Sequence, residues 1–183
     1  MACVKEGERR ADSQCVFSGH QFSPFNFDDP NFLQREYETL QAYGQSKTAS
    51  NLFTVALDSR SQAFGVRAYS LHPGSIHGTE LAREASLELF QQMGFFDADG
   101  NILPEVLASL KTIPQGAATT VWCATSPLLA DIGGVYCEDA DVAEVTAGPG
   151  VTSGVRGYSL DEDNARRLWE VSERMTGVTF DVG

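Results

Sequence analysis

Residues 40–63, LQAYGQSKTASNLFTVALDSRSQA, run directly into GVRAYSLHPG at 65–74. This junction constrains the fold more than any other feature of the chain. The first stretch places Leu52, Phe53, Ala56 and Leu57 at helical spacing, with no proline or glycine after Gly44, and so predicts a helix from Leu40 to Ala63. The second reads as a buried strand that Pro73-Gly74 forces to turn. A long helix feeding straight into a buried strand belongs to an alternating chain, and the remaining segments continue the alternation.

Cys15–Gly19 reads as the end of a short strand after a loose tail at 1–14, with 15–183 as one domain. HQFSPFNFDDPNF (20–32) is loop-like, and its four phenylalanines are expected to pack against something. Thr79 is expected to cap a helix from Glu80 to Met93, followed by an Asp-Gly turn in the loop 94–104 and a short helix. Thr112 and Gln115 have capping-box spacing, Pro114 suits a first turn and Pro127 stops the helix they open. Residues 131–139 lead through two glycines into a last strand, 144–158 reads as a surface loop, and Ser159 with Glu162 predicts the cap of a final helix closed by Gly177. Such alternation argues for a parallel sheet covered by helices.

Composition narrows the function classes. Net charge is −12, from 13 basic and 25 acidic side chains, which disfavours a phosphate backbone as partner. No apolar run approaches the ~20 residues that span a bilayer, and the N-terminus has no secretory core. Four cysteines without Cys-x-x-Cys or zinc spacing are expected to be free thiols in a cytoplasmic protein. His20, His72 and His77 lack clustered ligand partners, so no metal site is expected. Ser18, His20 and Asp28 lack the strand-turn-helix context of a hydrolase nucleophile. TAGPGVTSG has glycines but no strand-to-helix turn, which argues against a phosphate loop.

Tyr43 and Lys47 are the residues that suggest chemistry. Four apart, they share a helix face. A phenol titrating near 10 is a poor base at neutral pH, and lowering it by ~3 units takes ~4 kcal/mol, which a nearby ammonium in a partly dry site can supply. The pair thus has the types and spacing for proton transfer to or from a hydroxyl or carbonyl. Gly44, Ser46 and Ala49 are small, and are expected to let a ligand approach. The strand that follows ends in LHPGSIHGT, and in open α/β sheets ligands sit beyond the carboxyl ends of strands.

Tyr-x-x-x-Lys, its helix, and a strand closing on His-Pro-Gly resemble the short-chain dehydrogenase/reductase family. GHQFSPFNFDDPNF, PQGAATTVWCATSP, GGVYCEDADVAE and DEDNARRLWEVSERMTG resemble its retinol-dehydrogenase-like branch. The likeness runs from about Val16 onward. It implies an NAD- or NADP-dependent oxidoreductase interconverting an alcohol and a ketone or aldehyde. Tyr43 would be the acid/base, and Lys47 would lower its pKa and hold the nicotinamide ribose. Pro73, Gly74 and Ile76 would line the nicotinamide end and Thr79 would hydrogen-bond the cofactor, although the family's threonine usually stands one residue closer to the Pro-Gly. Phe17 stands where the family carries its carbonyl-polarising serine, so Ser18, one residue later, is the serine on offer.

The family's Thr-Gly-x-x-x-Gly-x-Gly turn, which wraps the cofactor pyrophosphate, has no counterpart in the sequence. The resemblance therefore implies the C-terminal half of a doubly wound parallel-sheet (Rossmann) domain, lacking the first strands, the adenosine pocket and the relay asparagine. The residue that selects NAD or NADP falls outside the matched part. The alternative implied is a truncated, non-catalytic relative that dimerises with a full-length subunit through the Leu40–Ala63 helix, commonly the dimer surface in this family. A sugar epimerase, which also uses Tyr-x-x-x-Lys, would need a substrate domain for which there are no residues.

Overall fold

The computed structural model describes residues 10–15, 18–76, 86–148 and 153–180. A four-stranded sheet has the order β1 (Arg10–Cys15), β2 (Val66–His72), β3 (Val135–Glu138), β4 (Asp141–Val142). β1, β2 and β3 are parallel, with Cys15 beside Leu71 and Leu71 beside Cys137, and β4 returns antiparallel. The crossovers are α1 (Thr39–Ser61) between β1 and β2, and α4 (Ile113–Thr125) before β3. Between β2 and α4 lie the short helices α2 (Leu87–Gln92) and α3 (Pro104–Ser109). After β4 come a parallel pair, β5 (Val145–Thr146) with β6 (Val155–Arg156), and α5 (Glu162–Thr176).

Side-chain alternation along β2 and β3 divides the core into two faces. Tyr69, Leu71 and Cys137 pack with Cys123 of α4 and Leu129. On the other face Tyr136 meets the His20 ring at 4.8 Å between centroids, and α1 lies against α5 through Leu52, Ala56, Ala165, Leu168 and Trp169. Phe53 stacks on Trp169 at 5.1 Å. This is the expected doubly wound arrangement, and the four-phenylalanine loop packs as expected: Phe25 and Phe27 seat on the α1–α5 core. Gln45 of α1 fixes that loop by donating to the Pro30 carbonyl at 2.6 Å and accepting from Arg35 at 2.7 Å.

α1 begins on Glu38, whose carboxylate accepts from Leu40 N and Gln41 N at 3.0 and 2.7 Å, an anion suited to a helix N-terminus. Its far end is tied to β2 by Asp58, which accepts from Arg67 Nε and Nη2 at 2.9 and 2.7 Å and from Ala68 N at 2.9 Å. The carboxylate raises the Arg67 pKa, above all through this hydrogen bonding. Gly133 is required beside it, since a Cβ there would overlap both Asp58 and Arg67.

Three element readings are corrected, and a fourth is described in part. The first strand spans Arg10–Cys15, not Cys15–Gly19, so Arg10–Gln14, read as tail, are sheet; its polar sequence lacks strand alternation, and only pairing with β2 reveals it. Of the helix expected over Glu80–Met93, the described part is Leu87–Gln92, opened by an extended Ser86 whose hydroxyl accepts from Leu89 N; Thr79 and residues 80–85 lie outside the described residues. The 144–158 loop contains the β5–β6 pair, with Val155 fully buried and Gly154 donating to Glu138 at 2.6 Å. The last helix is capped by Asp161, which accepts from Asn164 N at 2.8 Å, whereas Ser159 is buried and donates to the Arg156 carbonyl. The Thr112–Gln115 capping box and the left-handed Gly177 stand as expected.

Candidate active site

β1 and β2 are adjacent and parallel, so the turns that follow them leave from the same, carboxyl end of the sheet. After β1 comes a 3-10 turn at Ser18–Gln21; after β2 comes Pro73–Ile76, with Pro73 and Gly74 buried and Gly74 left-handed at φ 81°. The first turns of α1 lie on the Ser18–Gln21 turn. Thr48 donates to the Ser23 carbonyl at 2.7 Å and Tyr158 to the His20 carbonyl at 2.5 Å, pinning the segment from two sides. Burial holds the Tyr158 phenol above its ordinary value, which suits a donor that keeps its proton.

Two glycines make this contact possible. A Cβ on Gly44 would meet Ser23 N at 2.7 Å, Phe22 Cβ at 2.9 Å and the Gly19 carbonyl at 3.0 Å. A Cβ on Gly19 would collide with the Tyr43 ring and come within 3.0 Å of Lys47 Cγ. Tyr43 and Lys47 therefore share one bed, the backbone of the residue after Ser18. Lys47 Nζ lies 5.5 Å from the Tyr43 ring centroid, inside the ~6 Å over which a cation interacts with an aromatic face. Phe22 lies near Tyr43, 6.5 Å between ring centroids, and borders a cleft of about 430 Å³ lined also by Gln21, Pro24, Thr146 and Tyr158.

The small residues on α1 have different surroundings. Gly44 is buried under Phe22 and Ser23, Ser46 hydrogen-bonds back to the Tyr43 carbonyl, and Ala49 faces a shallow groove against α5 with Ser50, Phe53, Leu168 and Ser172. Gly74 is approached closely by the Lys111 side chain, whose Cδ a Cβ there would meet at 2.5 Å. Ile76, half-buried, bridges in parallel to Lys111. Sequence reading missed Gly19 and Lys111. Gly19, in the Ser-Gly-His after β1, carried a signal only as a glycine between a strand and a phenylalanine-rich loop; Lys111 carried none beyond standing just before the capping box.

His72, at the end of β2, is lowered to about 4 by burial first, then by the Lys111 ammonium and by His20, with Asp139 opposing. Cys123 and Cys137 are buried and free, and contact with Cys123 together with burial pushes the Cys137 thiol up. Among the described residues no group of three or more His, Cys, Asp or Glu could hold a metal, and no helix is long and apolar enough to cross a membrane.

No family model matches the chain. It is 45% identical over 157 residues to a probable oxidoreductase of Streptomyces lividans, covering 85% of this chain and 52% of that protein. It is 32% identical to a short-chain dehydrogenase/reductase of Penicillium roqueforti, over 88% of this chain and 45% of the relative. Retinol dehydrogenase 11 of Mus musculus is 32% identical, over 89% and 44%. The chain thus spans about half the length of the curated relatives it matches. The crystal structure of an uncharacterized protein from Mycobacterium paratuberculosis superposes with a TM-score of 0.50 at 23% identity, covering 94% of this chain and 52% of that one. That likeness bears on the fold alone, and agrees with a partial doubly wound domain.

Proposed function

From the premise that this chain belongs to the short-chain dehydrogenase/reductase family and spans about half the length of its relatives, we propose that it is an NAD(P)-dependent oxidoreductase interconverting a small alcohol and its ketone or aldehyde in the cytoplasm. The observation that carries the proposal is the packing of the Tyr43 ring and the Lys47 stem together over Gly19. It gathers a phenol, an ammonium and the hydroxyl-bearing Ser18 turn at the carboxyl end of two parallel strands, where open α/β sheets take ligands. Buried, unbridged Cys123 and Cys137 support a reducing compartment.

The donor set fits the nicotinamide-ribose end of a dinucleotide. Tyr43 and Lys47 would hold the ribose hydroxyls, Pro73, Gly74 and Ile76 would line the ring, and Thr79 would donate to it. Bound there, the cofactor supplies or accepts a hydride. In reduction, Tyr43 Oη would give its proton to the carbonyl oxygen; in oxidation its phenolate would take the hydroxyl proton back. Lys47 acts on the phenol by favouring its ionised form. Ser18 would donate a hydrogen bond to the substrate oxygen. Tyr43→Phe removes only the transferable proton, and is expected to lower turnover at least about a hundredfold, read by NAD(P)H consumption with simple aldehydes and ketones.

A second reading is a non-catalytic partner that docks another subunit along α1. It is favoured by the shallow groove of about 290 Å³ between α1 and α5, with Phe53 and Leu168 in its floor. Dimer formation without any nicotinamide nucleotide binding would select it.

A further inference from the structure

The turn after β2 is held in place from outside by a pair of charges that the reading above does not use. Lys111 N donates to the Ser75 carbonyl at 2.8 Å, its stem fills the space over Gly74, and its ammonium pairs with Asp139. Asp139 belongs to the two-residue turn between β3 and β4. That turn is strained: Asp139 and Ala140 have φ of 51° and 58°, and a left-handed alanine costs roughly 1–2 kcal/mol. The strain is maintained by the fully buried Thr119 of α4, whose hydroxyl accepts from Ala140 N at 3.1 Å. On the opposite side, Gly116 of the same helix leaves room for the Ile76 side chain, which a Cβ there would strike. Lys111 and α4 thus contact the four residues Pro73–Ile76 directly, and the β3–β4 turn reaches them through Lys111.

We infer that Lys111 and Asp139 are positioning residues, a charge clamp that fixes the Pro73–Ile76 turn against the end of β3. The clamp rests on the redox reading for its purpose, since that turn is the one that would line the nicotinamide. It also assigns a reason for Gly74 distinct from ligand approach. Any larger residue there would evict the lysine stem and open the clamp.

The test reads the hydrogen exchange of the amide at position 111, which is bonded to Ser75, in the full chain without cofactor or substrate. Lys111→Met and Asp139→Asn should each speed it about threefold, the scale of a partly exposed ion pair in a local opening. Asparagine tolerates the left-handed turn, so Asp139→Asn removes the charge and leaves the fold. Lys111→Glu should be faster still, and the reversed pair Lys111→Glu with Asp139→Lys should return toward the wild-type rate. A wild-type rate in Asp139→Asn, or a reversed pair no slower than Lys111→Glu alone, overturns the clamp. Failure of the redox reading shows elsewhere, in a Tyr43→Phe variant that turns over as fast as wild type.

Discussion

Gly19 is the residue on which the candidate site turns, because the Tyr43 ring and the Lys47 stem share its surface. Adding a methyl there places it inside the Tyr43 ring and against the Lys47 stem. Gly19→Ala should cost about 1–3 kcal/mol, the range for overpacking, and lower the melting temperature by about 2–4 °C per kcal/mol in a chain of this size. His72 offers a second residue-scale prediction. Its folded pKa of about 4 lies below the ordinary value of 6.5, so between those values the unfolded chain binds the extra proton. Stability that the neutral imidazole maintains above pH 6.5 is therefore lost as pH falls toward 4, by about 3 kcal/mol at most. Denaturant melts at pH 7 and pH 4.5 should show a smaller loss in His72→Gln than in wild type, because glutamine has no such proton to gain.

At the scale of elements, α4 starts on a complete capping box: Thr112 Oγ1 accepts from Gln115 N at 3.4 Å and Gln115 Oε1 accepts from Thr112 N at 2.8 Å. Thr112→Ala should cost about 1 kcal/mol, read as a lower denaturation midpoint with an unchanged slope. This box, the α1 helix and the β2 strand were legible in the sequence because each is encoded locally, by apolar period, by cap residues or by a proline-glycine stop. β1 was not legible. Arg10–Cys15 carries no alternation, and its six-residue register with β2 is a long-range fact. β5 and β6 were hidden likewise, since two-residue strands are defined by pairing rather than by propensity. The candidate site divides the same way. Tyr43 and Lys47 are four apart and visible, whereas Gly19, Lys111 and Asp139 reach them or the neighbouring turn only through the fold. Of the small residues of α1, Gly44 serves close backbone packing, a role that its size alone did not reveal.

Across the whole molecule, the described sheet is paired on one side of β1 only, and the outer face of α4 leaves Ile113 and Val121 exposed at 73% and 58%. Exposed apolar side chains on a helix face favour association, which a net charge of −12 opposes. The parallel strands bring the Ser18 turn, the Pro73–Ile76 turn and the start of α1 to one end of the sheet, where the proposed redox chemistry belongs. The measurement that tests this most directly is NAD(P)H consumption with a panel of aldehydes and ketones, wild type beside Tyr43→Phe at matched folded concentration. Turnover is expected in wild type, with a loss of at least about a hundredfold in the variant. Equal rates in the two proteins, or no turnover by wild type at saturating cofactor, would contradict it.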